Sequence, residues 1–308
     1  MTTLLLHHAA FLDHLTPAGH PERPDRLRAL HQALDVEEFA ALEREEAPLG
    51  SIDAVLLAHP EQYLQLIRDA VPDTGLVRID ADTTVSPGSW DAAMRGVGGA
   101  IRAVDAVVSG EVANAFLASR PPGHHAETER AMGFCLFNNA AIAARYAQAS
   151  HGIERVAIVD WDVHHGNGTQ DIFWSDPSVR YLSTHQMPLF PGTGAVSETG
   201  AGNITNAPLS PGDGADQFRG AFNERILPAV QDFAPDLILI SAGFDAHRRD
   251  PLAQINLDAE DFAWATGKLM DLADRSANGR IVALLEGGYD LQGLAVSAAA
   301  HIRQLMEA

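Results

Sequence analysis

Residues 156–169 read V-A-I-V-D-W-D-V-H-H-G-N-G-T, an apolar run of four that ends abruptly in two aspartates and two histidines. A short run that is apolar on both faces is the pattern of a parallel strand covered by helices on either side. Where such a strand ends, side chains two apart still face the same side. Asp162 and His164 can therefore address one point. A lone aspartate at a strand end is more often a helix cap, but capping requires no histidine pair.

The same pattern recurs along the chain. The run 113–119 leads into R-P-P-G-H-H at 120–125, and 179–185 leads into F-P-G-T-G at 190–194. Residues 236–241 precede A-G-F-D-A-H, and 280–285 precede E-G-G-Y at 286–289. Between these runs lie helix-like stretches, from Arg26 towards Leu34, from Asn138 to Gln148 and from Ala259 to Arg275. Alternating β and α units predict a parallel sheet between helical layers, an α/β/α domain taken to span residues 1–308. Ligands bind such sheets beyond the carboxyl ends of the strands, and every polar cluster above falls at one. Asp80 to Pro87 reads as an acidic loop preceding a further helix.

Composition narrows the partners. The chain has 308 residues, 46% of them hydrophobic, with 41 Asp and Glu against 21 Lys and Arg for a formal net charge of −20. Such a field repels phosphate backbones and anionic lipid, which argues against nucleic-acid and membrane-surface binding. A cationic substrate is compatible with it. A single cysteine, Cys135, allows no intrachain disulfide. No stretch approaches the roughly 18 consecutive apolar residues of a membrane span, and M-T-T-L-L-L-H-H lacks the basic start of a secretory signal. The expectation is a soluble, cytoplasmic protein. His7 and His8 read as surface residues.

The clusters carry complementary chemistry. Asp245, at another strand end, is the natural third partner for Asp162 and His164. An Asp-His-Asp set suits Zn²⁺, or Fe²⁺, as a Lewis acid that activates water. His124 and His125 follow a tight Pro-Pro-Gly loop and can hold different roles around one water, one of them as base. The glycines before Tyr289 let the backbone approach a ligand and present a neutral hydroxyl donor to an oxyanion.

Taken together, R-P-P-G-H-H-A, D-W-D-V-H-H-G-N-G-T, F-P-G-T-G, A-G-F-D-A-H and L-E-G-G-Y closely resemble the histone deacetylase superfamily, in its class II-like and bacterial branch. The resemblance covers nearly the whole chain, from H-P-E-R-P at 20–24 to the tyrosine loop. It implies the arginase/deacetylase fold, a single domain with a mainly parallel sheet of about eight strands. It also implies a zinc-dependent amidohydrolase acting on an acyl-lysine peptide or protein, or on a small acylated amine. Asp162, His164 and Asp245 would bind the metal, with Fe²⁺ the alternative to Zn²⁺. His125 would be the general base and then acid, and His124 would give electrostatic help. Asp160 and Asn167 would accept hydrogen bonds from His124 and His125, fixing tautomer and orientation. Tyr289 would polarise the carbonyl.

Further positions are implied in the same way. Gly133, Phe134 and Phe190 match a narrow channel for the acyl-lysine stem, with Leu252 near it and Asp82 as an anchor for the substrate backbone. Asp160, Asp162, His164, Ser183 and Thr184 match a structural K⁺ site, and Phe173, Asp176 and Val179 part of a second. Cys135 would be structural, and Arg26 would line an acetate exit path. His165 is expected to be a packed residue behind the site.

Three alternatives remain at this stage. Arginase-like amidinohydrolases share the fold but use two metals; here Gly166 and His247 stand where their additional carboxylates would be. Acetylpolyamine deacetylases carry an acidic residue where this chain has Leu252. A metal-dependent or acyl-lysine sensor without turnover would have no need of His124, His125 and Tyr289.

Overall fold

The structure, a computed structural model, describes residues 2–308. Its strands in chain order are β1 (Thr3–His7), β2 (Glu43–Glu46), β3 (Val77–Arg78), β4 (Thr84–Val85), β5 (Asn114–Leu117), β6 (Val156–Asp160), β7 (Val179–Gln186), β8 (Ile204–Leu209), β9 (Leu237–Ala242) and β10 (Ile281–Leu285). One sheet of eight strands runs in the order β2-β1-β5-β10-β9-β6-β7-β8. All its neighbours are parallel, while β3 and β4 form a separate antiparallel pair.

Helices Asp25–Leu34, Ala259–Ser276 and Leu291–Leu305 pack in one group, and Ser89–Val108 packs on Asn139–His151 in another. The sheet lies between them, so its central strands are buried along their whole length. This accounts for the near-continuous apolar runs at 156–159, 237–240 and 281–285. The mainly parallel α/β/α architecture expected from these runs is the one observed.

Three strands of the main sheet are not marked by apolar runs and turn signals, and the stretch expected as the acidic loop Asp80 to Pro87 contains β4, which pairs with β3. Leu4, Leu5 and Leu6 are fully buried in β1, so the N-terminal apolar run is a core strand. β2 (E-R-E-E) and β8 are the two edges of the sheet, where one side needs no apolar cover. An edge also tolerates the missing N–H of Pro208 in β8. His7 and His8 are half-buried rather than free on the surface, and the His8 ring accepts a hydrogen bond from Ala10 N–H at 3.0 Å.

Strands β5, β10, β9 and β6 are consecutive neighbours in the middle of the sheet. Because they are parallel, the segments following them emerge at one edge. Those segments are 120–125, 286–289, 243–245 and 161–165, far apart in sequence and adjacent in space. No helix among the described residues is long and apolar enough to cross a membrane.

Candidate metal centre and channel

Asp162, His164 and Asp245 are all buried, and one possible ligand atom from each lies within 4.8 Å of the others. His164 Nδ1 is 3.1 Å from Asp162 Oδ1 and 3.0 Å from Asp245 Oδ2. Backbone donors aim the carboxylates: Gly287 N–H donates to Asp162 Oδ2 at 2.8 Å, and Val163 N–H to Asp245 Oδ1 at 2.8 Å. A Cβ on Gly243 or Gly287 would collide with Asp162, and one on Gly287 with Asp245 as well. Burial and the neighbouring Asp162 charge push the Asp245 carboxyl up to about 7. Burial lowers the His164 pKa, but its bonds to Asp162 and Asp245 outweigh this and raise it to about 10. Two carboxylates and an imidazole thus gather positive charge at one buried point. That donor set fits a divalent cation of the zinc or ferrous type.

The histidine pair stands beside this trio, with ring centroids 4.0 Å apart. His124 Nδ1 is 3.0 Å from Asp160 Oδ2, and His125 Nδ1 is 2.8 Å from Asn167 Oδ1. Asp160 Oδ2 also accepts from the Tyr181 hydroxyl at 3.0 Å. The two rings have opposite electrostatics. Burial pulls the His124 pKa down, yet the carboxylates of Asp162, Asp160 and Glu286 hold it well above its ordinary value. His125 is pushed well below, first by burial and then by the cationic His124 and His164.

A cavity of about 290 Å³ opens onto these groups, lined by Asp82, His125, Gly133, Phe134, His164, Leu189, Phe190, Leu252 and Tyr289. The Phe190 ring stands edge-on to His125 at 5.1 Å, and Phe134 edge-on to Tyr289 at 5.8 Å. Gly133 and Phe134 both adopt positive φ, 57° and 70°. A side chain on Gly133 would meet the His125 ring, and the strained backbone at Phe134 is held by hydrogen bonds. Asp82 Oδ1 accepts from Gly133 N–H at 3.0 Å, and Thr83 Oγ1 from Phe134 N–H at 3.1 Å. Cys135 is buried, with Sγ 3.3 Å from the Gly133 carbonyl.

Several residues that organise the site were not singled out in the sequence. Glu286 Oε2 accepts from Gly123 and His124 N–H at 2.7 and 3.1 Å, holding the histidine loop against β10. Asp250 Oδ2 accepts from Tyr289 N–H at 2.7 Å, and its Oδ1 from Leu252 N–H at 3.0 Å, tying both channel residues to one carboxylate. Beneath them Glu22 is fully buried between Arg26 and Arg120. Arg26 donates to the Gly288 carbonyl at 2.7 Å, and its guanidinium carbon lies 5.0 Å from the Tyr289 ring centroid. Glu22 and Glu286 stand inside the H-P-E-R-P and L-E-G-G-Y stretches, but their partners are distant in sequence, so neither spacing nor motif assigns them these contacts; Asp250 stands in none of the motifs.

His165 is buried between Thr193 Oγ1 at 2.7 Å and Gln170 Oε1 at 3.1 Å, with its ring 4.8 Å from that of His185. It anchors the F-P-G-T-G segment that carries Phe190. Of the residues matched to K⁺ sites, Asp160, Asp162, His164, Ser183 and Thr184 are all buried around the ends of β6 and β7. Ser183 Oγ lies 2.9 Å from His185 Nδ1, and Thr184 Oγ1 has no hydrogen-bond partner. The carbonyls of Phe173, Asp176 and Val179 converge instead on Asn203 Nδ2.

Comparison with known proteins gives this arrangement a family. Residues 20–305 match the histone deacetylase domain. The histone deacetylase-like amidohydrolase of Pseudomonas aeruginosa is 44% identical over 278 residues, covering 88% of this chain and 73% of that protein. A probable deacetylase of Archaeoglobus fulgidus is 41% identical over 300 residues, 95% of this chain and 83% of the other. The crystal structure of the HDA15 HD domain matches with a TM-score of 0.94 at 37% identity, covering 99% of this chain and 90% of that one. Fold and relatives together define a hydrolase of the deacetylase type. The chain belongs to the histone deacetylase family.

Proposed function

We propose that this protein is a mononuclear metal-dependent amidohydrolase that removes acetyl, or another acyl group, from the side-chain amine of acyl-lysine. The observation that carries this reading is the lining of one narrow cavity by His125, His164 and Tyr289 between the rings of Phe134 and Phe190. An aliphatic stem fits between two aromatic walls, and its amide then meets the polar end. Asp162, His164 and Asp245 would hold Zn²⁺ or Fe²⁺, which when bound supplies Lewis-acid polarisation of water and of the amide carbonyl.

The chain's own groups perform the proton transfers. Asn167 Nδ2 donates to Glu127 Oε1 at 2.6 Å, which turns Asn167 Oδ1 towards His125 and fixes the proton on His125 Nδ1. Nε2 is left as the accepting nitrogen, and the depressed pKa keeps it unprotonated. His125 takes a proton as water adds to the carbonyl carbon. Burial holds the Tyr289 phenol protonated, so it donates a hydrogen bond to the developing oxyanion. When the C–N bond breaks, a histidine returns the proton to the leaving amine, giving a free amine and a carboxylic acid. His124, kept cationic by its carboxylate neighbours, stabilises the negative charge without moving.

Leu252 on the cavity wall favours acyl-lysine over acetylpolyamines, since an apolar side chain offers a distal ammonium nothing to bind. The second pair of carboxylates that a binuclear amidinohydrolase needs is replaced by Gly166 and His247. A substrate panel with metal analysis tests the reading. Expected are one equivalent of Zn²⁺ or Fe²⁺ per chain and faster hydrolysis of acetyl-lysine peptides than of acetylspermidine. Two metals per chain with urea release, or a preference for the polyamine, would overturn it.

A further inference from the structure

Asn203, just before β8, is buried, and all of its side-chain hydrogen bonds are to backbone. Its Oδ1 accepts from Ala201 N–H at 3.0 Å, which fixes which end of the amide is nitrogen. Nδ2 then lies 2.8 Å from the Phe173 carbonyl oxygen, 3.0 Å from that of Asp176 and 2.9 Å from that of Val179. Three carbonyls of one turn therefore point at a single atom. Carbonyl oxygens arranged this way can replace the hydration shell of a monovalent cation, and these are the residues the family resemblance assigns to a second K⁺ site.

The residues present do not fit that ion. The point where the oxygens converge holds the positive end of an amide dipole, whose two N–H groups serve the same acceptors. Two side chains of the turn already engage a cationic group of the chain. Arg145 pairs with the Asp176 carboxylate, and its guanidinium carbon lies 4.7 Å from the Phe173 ring centroid. A cation placed among the carbonyls would face an N–H donor at contact distance.

We infer that Asn203 takes the place of the second monovalent cation, so that the turn 173–179 is held by an amide built into the chain and binds no ion. Two measurements test this. In crystals of the wild-type protein grown with Rb⁺ in place of K⁺, the anomalous map should show no peak among the carbonyls of Phe173, Asp176 and Val179. A peak there would overturn the inference. Asn203→Asp keeps the shape, removes the donors and adds a carboxylate. By equilibrium dialysis it should bind one more Rb⁺ per chain than the wild type. Its Tm should also rise more steeply when KCl replaces choline chloride at fixed ionic strength. Equal Rb⁺ counts and equal Tm slopes would show that amide and ion do not compete for one place. If the variant does not fold, the wild-type map decides alone.

Discussion

His125 Nδ1 lies 2.8 Å from Asn167 Oδ1, and Glu127 holds that amide in its orientation from the other side. A neutral partner fixes the tautomer without adding negative charge, so His125 keeps its depressed pKa. Asn167→Asp puts a carboxylate on the same N–H and favours the imidazolium. The folded-state pKa rises, and His125, the proposed base, stays protonated to higher pH. The acid limb of the kcat/KM profile should therefore move upward by about 1 unit, with metal content unchanged. An unmoved limb would argue that another group is the base.

Gly287 joins the tyrosine loop to Asp162 and Asp245, two of the three proposed metal ligands. Its φ lies outside the left-handed region, so alanine suits the backbone there, and only the added Cβ meets Asp162 and Asp245. Gly287→Ala should leave the far-UV spectrum unchanged and weaken Zn²⁺ affinity by about 10–100-fold, as loss of ligand support does elsewhere. Wild-type affinity in a competitive chelator titration would mean that these carboxylates are not the ligands.

Glu22 is buried between two guanidiniums, and His14 Nε2 lies 3.5 Å from its carboxylate. Burial raises its pKa, but Arg120 and His14 outweigh this and hold it well below the usual carboxylate range. Its stabilisation is thus full above the unfolded pKa and is lost only as pH falls through the lower folded value. Removing the charge at neutral pH leaves Arg26 and Arg120 buried without their partner. Glu22→Gln should cost about 3–5 kcal/mol in urea unfolding, and a midpoint shift of less than a quarter of that would contradict the account.

What could be read in the sequence followed from locality. Asp162 and His164 are two apart at a strand end, and Asp245 ends a second apolar run, so the sheet alone brings the trio to one edge. The His124 and His125 loop, Tyr289 and the parallel core were legible for the same reason. The role of Glu22 was not, because H-P-E-R-P reads as a loop and its partner Arg120 is 98 residues away. Asn203 sits in a glycine-rich stretch that reads as an ordinary turn, and its role appears only when three carbonyls are seen around it. β2 escaped because an exposed edge strand needs no apolar residue, and E-R-E-E has none.

His59 links its surroundings through both ring nitrogens. Nε2 accepts from Asn138 N–H at 2.9 Å, and Nδ1 faces the Thr128 carbonyl at 3.1 Å. Protonating Nε2 would set two donors face to face, in accord with a pKa lowered to about 4, mainly by burial. His185, also buried, is lowered to about 4 as well. A lowered folded pKa means that the unfolded chain binds more protons below about 6.5. Stability should fall as pH drops from about 6.5 towards 4, with His59 contributing at most about 3 kcal/mol. His59→Gln should flatten that slope in urea titrations across the range, and an unchanged slope would remove His59 as a cause.

Tyr289 is the one residue whose hydroxyl is asked to act on the substrate alone. Its loop is fixed by Asp250, and its ring is flanked by Arg26 and Phe134. Tyr289→Phe therefore removes one oxygen and leaves the packing in place. The most direct test is the turnover number of this variant on an acetyl-lysine peptide, with bound metal counted in the same sample. The account predicts a fall in kcat of about 10²–10³-fold at one metal per chain. Wild-type turnover in a fully metallated Tyr289→Phe protein would contradict it.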